Sequence, residues 1–285
     1  MEQAIKISRI QKQIDEFQLG PIDLRIESGM ITALAGNNGA GKSTLLKLIL
    51  NLVKQNQGNI ELFGQVIRKE EEDWQKRVAY LPQSMPGAVP FTGKELRNLV
   101  SHWYPNWDEQ LFQRMIDLFE VPLKKQYEKL SQGAKQKLNL ALALPRNAEL
   151  LILDEPTSHL DIPAKKVLQD LLVEWMEHGD KTILFASHQV EEIRKLADYI
   201  AIMKNGKLIG SFEKDELTEQ YKRYWFPSPI LENIIPGEVE RKGGTIVTSN
   251  PIETEKFFRN KDMRWIDSKA VELDEILTFM LSKKG

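Results

Sequence analysis

Apolar and polar residues alternate over the first part of the chain, and further on the apolar residues gather into continuous runs. Ala4-Ile-Lys-Ile-Ser8 and Pro21-Ile-Asp-Leu-Arg-Ile-Glu27 carry the period of two that predicts half-buried antiparallel strands. Ser28-Gly29 turns the second of them into Ile31-Thr-Ala-Leu-Ala35, a short apolar run of the kind found in a strand buried on both faces. Asn59–Phe63, Arg77–Leu81, Leu150–Leu153 and Lys181–Ser187 read as further strands. Asn205-Gly206, a favoured turn pair, is predicted to join Tyr199–Met203 to Lys207–Gly210 as a hairpin.

Helical signals fall between these runs. Thr44–Asn51 is a helix that follows a glycine-rich turn. Ser84–Phe91 reads as a loop. Thr92, with Glu95 three residues on, forms a capping box for a helix reaching His102. Trp103-Tyr-Pro-Asn-Trp107 interrupts the pattern. Asp108 caps a second helix, to about Glu120, with Leu111, Phe112, Met115, Leu118 and Phe119 assigned to its apolar face. Ser131 caps a Leu- and Ala-rich helix that Pro145 stops, and Asp161 to Glu177 is helical. Val190–Leu196 is a short helix. Strands alternating with helices predict an α/β fold with a mostly parallel sheet, and residues 84–145 read as a helical subdomain inserted into it. The aromatic and proline-rich stretch Tyr221–Pro229 marks a connector. Beyond it, Thr245–Thr248, Ile252–Asn260, Met263–Asp267 and Val271–Ser282 predict strand, helix, strand, helix. The expected division is therefore a main domain over 1–215 and a linker with a small α/β module over 216–285.

Composition narrows the function classes. With 39 Lys and Arg against 41 Asp and Glu, the net charge of -2 gives no electrostatic case for nucleic acid. No apolar run approaches the roughly 18 residues that cross a bilayer. Cysteine is absent, which removes disulfides, thiolate metal sites and thiol catalysis. No secretory leader is visible at Met1–Lys6. These features favour the cytosol and leave attachment to a membrane protein open.

Candidate chemistry concentrates in Gly36-Asn-Asn-Gly-Ala-Gly-Lys-Ser43, which fits Gly-x4-Gly-Lys-[Ser/Thr] between a predicted strand and a predicted helix. A triphosphate needs backbone N–H groups turned toward its oxygens. Gly36, Gly39 and Gly41 allow that close approach, and the helix that follows adds partial positive charge. The expected nucleotide contacts are Gly36, Asn37, Asn38, Gly39, Ala40, Gly41, Lys42, Ser43 and Thr44. Lys42 would reach the β- and γ-phosphates, and the Ser43 hydroxyl would hold Mg2+. Downstream, Leu150-Leu-Ile-Leu-Asp-Glu-Pro156 ends an apolar strand in two carboxylates. Asp154 is placed to hold Mg2+ beside Ser43, and Glu155 to polarise an attacking water. Read alone, such paired acids could equally form a solvated turn.

With these parts in this order, the chain resembles the nucleotide-binding subunit of an ATP-binding cassette (ABC) transporter over roughly residues 1–215. Gln83 in Tyr-Leu-Pro-Gln matches the Q-loop, and Leu130-Ser-Gln-Gly-Ala134 the signature segment. Ser158-His-Leu-Asp161 matches the D-loop and His188 the H-loop. The resemblance implies a P-loop NTPase cassette with an N-terminal antiparallel β subdomain, a RecA-like parallel core, the inserted helical subdomain and a C-terminal α/β extension. It also implies two such subunits, self or paralogue, paired head to tail around two ATP. In that pair Ser131 and Gly133, at the start of a helix, face the partner's γ-phosphate, and Asp161 lies at the nucleotide. His188 contacts the γ-phosphate and works with Glu155, Gln83 touches Mg2+ or the water, and Phe17 is the expected adenine-stacking aromatic. Integral membrane permease subunits are the implied partners, and the cytoplasmic face of the cell membrane the implied location.

The chain departs from the family pattern at Gln132, Ala134 and His159, which implies altered contacts on the nucleoside side and admits GTP as a competing substrate. The signature variant, the segment Tyr104–Asp108 and the C-terminal module resemble bacterial exporter ATPases of antibiotic-responsive and acetoin-utilisation operons. A soluble ABC ATPase acting in the assembly or regulation of a complex is the competing reading. Trp103, Tyr104 and Trp107 could line a docking groove for a membrane partner or fill the subdomain's own core.

Overall fold

A computed structural model describes residues 2–67, 73–84, 90–230, 232 and 234–282. Most of the predicted loop Ser84–Phe91 falls on residues 85–89, outside the described residues. The chain divides into two units: Met1–His188 with Ala201–Gly210, and Gln189–Ile200 with Ser211–Gly285.

The first unit holds two sheets. β1 (Gln3–Ile14), β2 (Phe17–Glu27), β4 (Gln57–Leu62) and β5 (Gln65–Val66) form an antiparallel sheet in the order β2-β1-β4-β5. The second sheet is built on β3 (Ile31–Ala35), β6 (Val78–Leu81), β7 (Leu150–Asp154) and β8 (Thr182–Ser187), which run parallel in the order β3-β8-β7-β6. β9 (Tyr199–Lys204) and β10 (Lys207–Glu213) continue it beyond β3. The central strands β3, β7 and β8 are buried at every residue, as their unbroken apolar runs require. Because the strands are parallel, Ala35, Asp154 and Ser187 all end at the same edge, where open α/β sheets place their ligands.

α1 (Lys42–Ile49) joins the two sheets into one core. Leu45, Leu46, Leu48 and Ile49 are buried in a cluster that draws on β1, β2, β4, β7 and β8. Each such side chain contributes about 1.5–3 kcal/mol by leaving water. The short α2 (Asp73–Lys76) precedes β6. α3 (Gly93–Trp103), α4 (Glu109–Phe119) and α5 (Gln132–Ala143) form the helical insertion, and α6 (Ile162–Met176) follows β7. The Thr92 hydroxyl accepts from the Glu95 N–H while the Glu95 carboxylate accepts from the Thr92 N–H at 2.7 Å, so the capping box is present.

The apolar face of α4 differs from the expected one by a residue. Phe112, Met115, Ile116 and Phe119 are buried, whereas Leu118 is 48% exposed. At 100° per residue Leu118 lies about 90° off the line through 112, 115 and 119, and Ile116 lies nearer to it. The aromatic interruption also divides. Tyr104 takes a hydrogen bond from Arg146 at 3.1 Å, and Trp107 packs tilted against Phe112 and donates to Glu109. Trp103 is 69% exposed.

The second unit contains α7 (Val190–Leu196), α8 (Lys214–Glu219), β11 (Lys222–Trp225), β12 (Glu238–Lys242), β13 (Thr245–Thr248), α9 (Pro251–Asn260), β14 (Asp267–Ala270) and α10 (Leu273–Ser282). Its sheet has the order β12-β13-β11-β14 and is antiparallel. Tyr224, Ile235, Ile246 and Phe258 form its core, and α10 packs on α7. Lys222–Trp225, expected to be connector, is an inner strand. Among the described residues no helix is long and apolar enough to cross a membrane.

Candidate active site

The glycine-rich turn departs from β3 and enters α1 through Gly41, whose φ of 102° suits a residue without Cβ. A side chain at Gly36 would put its Cβ 2.5 Å from the Met203 carbonyl oxygen, so this position admits glycine alone without a backbone shift. Gly39, also at positive φ, has nothing within 4 Å of where its Cβ would be, and its backbone faces open space. Gly41 provides no side-chain cap for α1, which leaves the helix's first N–H groups for an external acceptor.

A cleft of about 470 Å³ opens over this turn. Asn38, Gly39, Ala40, Gly41, Lys42, Ser43 and Thr44 form its floor, and Phe17, Gln83, Glu155, Ser158 and His188 its walls. Phe17, at the start of β2, sits directly against Gly41: a Cβ there would meet its ring at 3.0 Å.

The ionisable groups are arranged as a chain of contacts. Lys42 is 6% exposed, and its ammonium donates to the Gly36 carbonyl at 2.7 Å and to that of Asn37 at 3.3 Å. It also lies 3.5 Å from Glu155 Oε1. The other oxygen of Glu155 is 2.8 Å from His188 Nδ1. Glu155 therefore bridges the lysine that follows β3 and the histidine that follows β8. Its backbone has φ of 53°, a left-handed conformation that costs an ordinary residue roughly 1–2 kcal/mol. The Glu155 N–H donates to the Ala186 carbonyl at 3.0 Å, which anchors the turn to β8.

Beside this group, the Ser43 hydroxyl donates to Asp154 Oδ1 at 3.0 Å. Asp154 is 1% exposed. Burial pushes its carboxyl above the usual range, the Ser43 hydrogen bond opposes that, the Glu155 charge adds to it and Lys42 counters it. The phenol of Tyr80, on the neighbouring strand, is pushed up to about 12 by burial and by the Asp154 charge. The Ser43 hydroxyl and the Asp154 carboxylate are hard oxygen donors that suit a magnesium ion, which binds proteins through one or two carboxylates together with waters and phosphate oxygens. Among the described residues no group of three or more acidic, His or Cys side chains gathers to cage a metal.

Phe17, Gln83, Asp154, Glu155 and His188 thus meet at the glycine-rich turn. Ser131, Gly133 and Asp161 do not line the cleft. Ser131 caps α5, its hydroxyl accepting from the Ala134 N–H at 3.2 Å. Gly133 stands against the His159 carbonyl, and Asp161 caps α6. Two contributors went unread in the sequence. Ser158 lines the cleft with a buried hydroxyl that has no partner among the described residues, an orphan a phosphate oxygen or water would satisfy. Gln136 is 3% exposed and bonds the turn after Asp154. Ser158 lay inside the D-loop match, whereas nothing in its neighbours set Gln136 apart from other helical glutamines.

The description "ABC transporter" belongs to the family model that matches residues 19–158. The ABC transporter ATP-binding protein YtrB of Bacillus subtilis (strain 168) is 32% identical over 218 residues, covering 76% of this chain and 74% of that one. The bacitracin transport ATP-binding protein BcrA of Bacillus licheniformis is 29% identical over 216 residues, covering 75% and 69%. A solved ATP-binding subunit of an ABC transporter superposes with a TM-score of 0.68 at 25% identity, covering 76% of this chain and 92% of its own. The phosphate turn, the paired carboxylates, the glutamine and histidine at the cleft, and this similarity agree: the chain belongs to the ATP-binding proteins of the ABC transporter family.

Proposed function

We propose that this chain hydrolyses ATP as the nucleotide-binding subunit of a membrane transporter. The observation that carries the reading is the convergence of Lys42, Glu155 and His188, with Ser43 and Asp154 beside them, on one cleft floored by the glycine-rich turn. A triphosphate entering there offers its oxygens to the α1 N-terminus and to Lys42. It competes with the Gly36 and Asn37 carbonyls and with Glu155 for the same ammonium. As Lys42 turns to phosphate, Glu155 Oε1 is released to accept a proton from the attacking water, while His188 holds Oε2 in place. Ser43, Asp154 through water, and Gln83 would hold Mg2+, which when bound neutralises charge on the phosphates. Phe17 stacks on the base.

Ser131, Gly133 and Asp161 act, on this reading, at the nucleotide of a second subunit, self or paralogue. The helix N-terminus at Ser131 supports it, because its hydroxyl and N–H groups present an anion site while lying off the chain's own cleft. ATP then joins the two subunits, and its hydrolysis parts them. Integral permease subunits receive this motion at the cytoplasmic face of the membrane. Export is our reading of direction, supported by the segment Tyr104–Asp108 and the C-terminal unit; the relative named for bacitracin transport supports the antibiotic-responsive subgroup.

The test is to purify the chain under mild detergent from its native membranes. A polytopic membrane protein in comparable amount is expected, and the choice of substrate would then rest with that partner. Soluble partners alone would overturn the transporter reading in favour of an assembly ATPase.

A further inference from the structure

The start of α5 grips the segment after Asp154 at three points. Gln136 Nε2 donates to the Pro156 carbonyl at 2.8 Å and approaches the Glu155 carbonyl at 3.5 Å. Gly133 lies so close to the His159 carbonyl that a Cβ would stand 2.9 Å from it. Lys137 reaches Asp161 at 3.3 Å, an exposed pair that contributes little. Of the three, Gln136 is buried, and its main acceptor is the Pro156 carbonyl, in the second peptide after Glu155. That peptide matters because Glu155 is held at positive φ. From β8, the Ala186 carbonyl takes the Glu155 N–H. From α5, the Gln136 amide donates to the Pro156 carbonyl. The turn, closed by the Ser158 N–H on the Glu155 carbonyl at 3.1 Å, is thus clamped on both sides, and these bonds help to sustain its strain.

We propose that Gln136 is a positioning residue for Glu155: its side-chain amide fixes the left-handed turn that keeps the Glu155 carboxylate between Lys42 and His188. This rests on the reading of Glu155 given above. A buried hydrogen-bond donor is needed at this point, so shape alone does not suffice. A leucine of similar volume leaves the Pro156 carbonyl without its partner. A glutamate donates only when protonated, and when ionised it sets a charge against the carbonyls.

The experiment uses the full chain, with Gln136→Leu, Gln136→Glu and, as the control, Glu155→Gln. Turnover is measured as phosphate release at saturating ATP, affinity with a fluorescent ATP analogue, and folding by melting temperature. Displacing a catalytic group by about an ångström costs on the order of 100-fold in rate. The expected result is a fall of roughly 10- to 100-fold in kcat for Gln136→Leu, with analogue affinity within about two-fold of the parent. For Gln136→Glu, the ratio of its kcat to the parent's should rise as pH falls from about 8 to 6, because burial at this site raises the introduced carboxyl into that range and it gains its proton there. Turnover equal to the parent's in folded Gln136→Leu, or affinity and kcat falling together, overturns the proposal. So does a pH-independent ratio for Gln136→Glu, which keeps the test decisive if Gln136→Leu does not fold. If Glu155→Gln retains full turnover, the reading of Glu155 fails; if it is inactive while both Gln136 variants match the parent, this inference alone fails.

Discussion

Lys42 and Glu155 are both 6% exposed at the side chain and stand 3.5 Å apart, so replacing Lys42 with Met removes the cation that faces a buried carboxylate. Two unit charges at that distance attract by about 5 kcal/mol at an effective dielectric constant of about 20. Desolvation opposes much of this, and Lys42 also has the Gly36 carbonyl while Glu155 also has His188. Removing one partner of a buried pair still costs about 3–5 kcal/mol, because the other charge is left behind. Lys42→Met should therefore destabilise the protein by about 3 kcal/mol. Glu155→Gln removes the stranded charge, so adding it to Lys42→Met should return about 1–3 kcal/mol. The assay is urea unfolding of the parent, both single variants and the double variant without nucleotide, followed by tryptophan fluorescence. Additivity within about 0.5 kcal/mol would mean that the two groups are not coupled, and would refute the reasoning.

Three further outcomes follow from the same cleft. Asp154→Asn should raise the melting temperature at neutral pH while abolishing ATP turnover. The folded carboxyl titrates above its ordinary 3.8 because of burial, so the folded chain holds that proton more tightly. Stability from this group is thus full in acid and lost as pH rises through the raised value; the variant's advantage should vanish near pH 3, and an advantage that persists there would contradict the assignment. Phe17→Ala should raise KM for ATP roughly five-fold or more through lost stacking, leave kcat near the parent's, and spare Phe17→Trp; unchanged KM in steady-state assays would remove Phe17 from the site. Gly36→Ala should lose analogue binding and melt lower, since its Cβ meets a backbone carbonyl at 2.5 Å rather than a side chain that could turn away; binding at the parent's level would show that the loop adapts.

What was legible in the sequence is the chemistry that local residues dictate. The phosphate turn needs its glycines and lysine in fixed order. The carboxylates at the end of β7 follow a fully buried run whose end is fixed by its first polar residue. Other features depend on structure that a period of two cannot carry. β1 extends to Ile14, well past the predicted Ser8, because its register shifts on both sides of Arg9, which sits at φ of 50°. Each bulge resets the alternation. β12 was hidden because Glu238–Lys242 carries a single apolar residue, Val239, and the strand expected over Met263–Asp267 lies at Asp267–Ala270 instead, where the residues are polar or small, as suits strands at the edges of a sheet. β11 was masked by the prolines that follow it, although Tyr224 is fully buried and its hydroxyl bonds Glu255. Gln136 shows the same limit at the site. Its importance comes from a carbonyl twenty residues away in sequence, brought near by the packing of α5 on the turn.

The central claim is that ATP held at this cleft joins two subunits and that Glu155 ends that state by hydrolysis. The most direct measurement is the molar mass of Glu155→Gln by light scattering after gel filtration, with and without ATP and Mg2+. The account predicts a shift from monomer to dimer that requires ATP and is lost when Ser131→Arg is added, since that change blocks the partner's phosphate site. A monomer that binds ATP without any change in mass would contradict it.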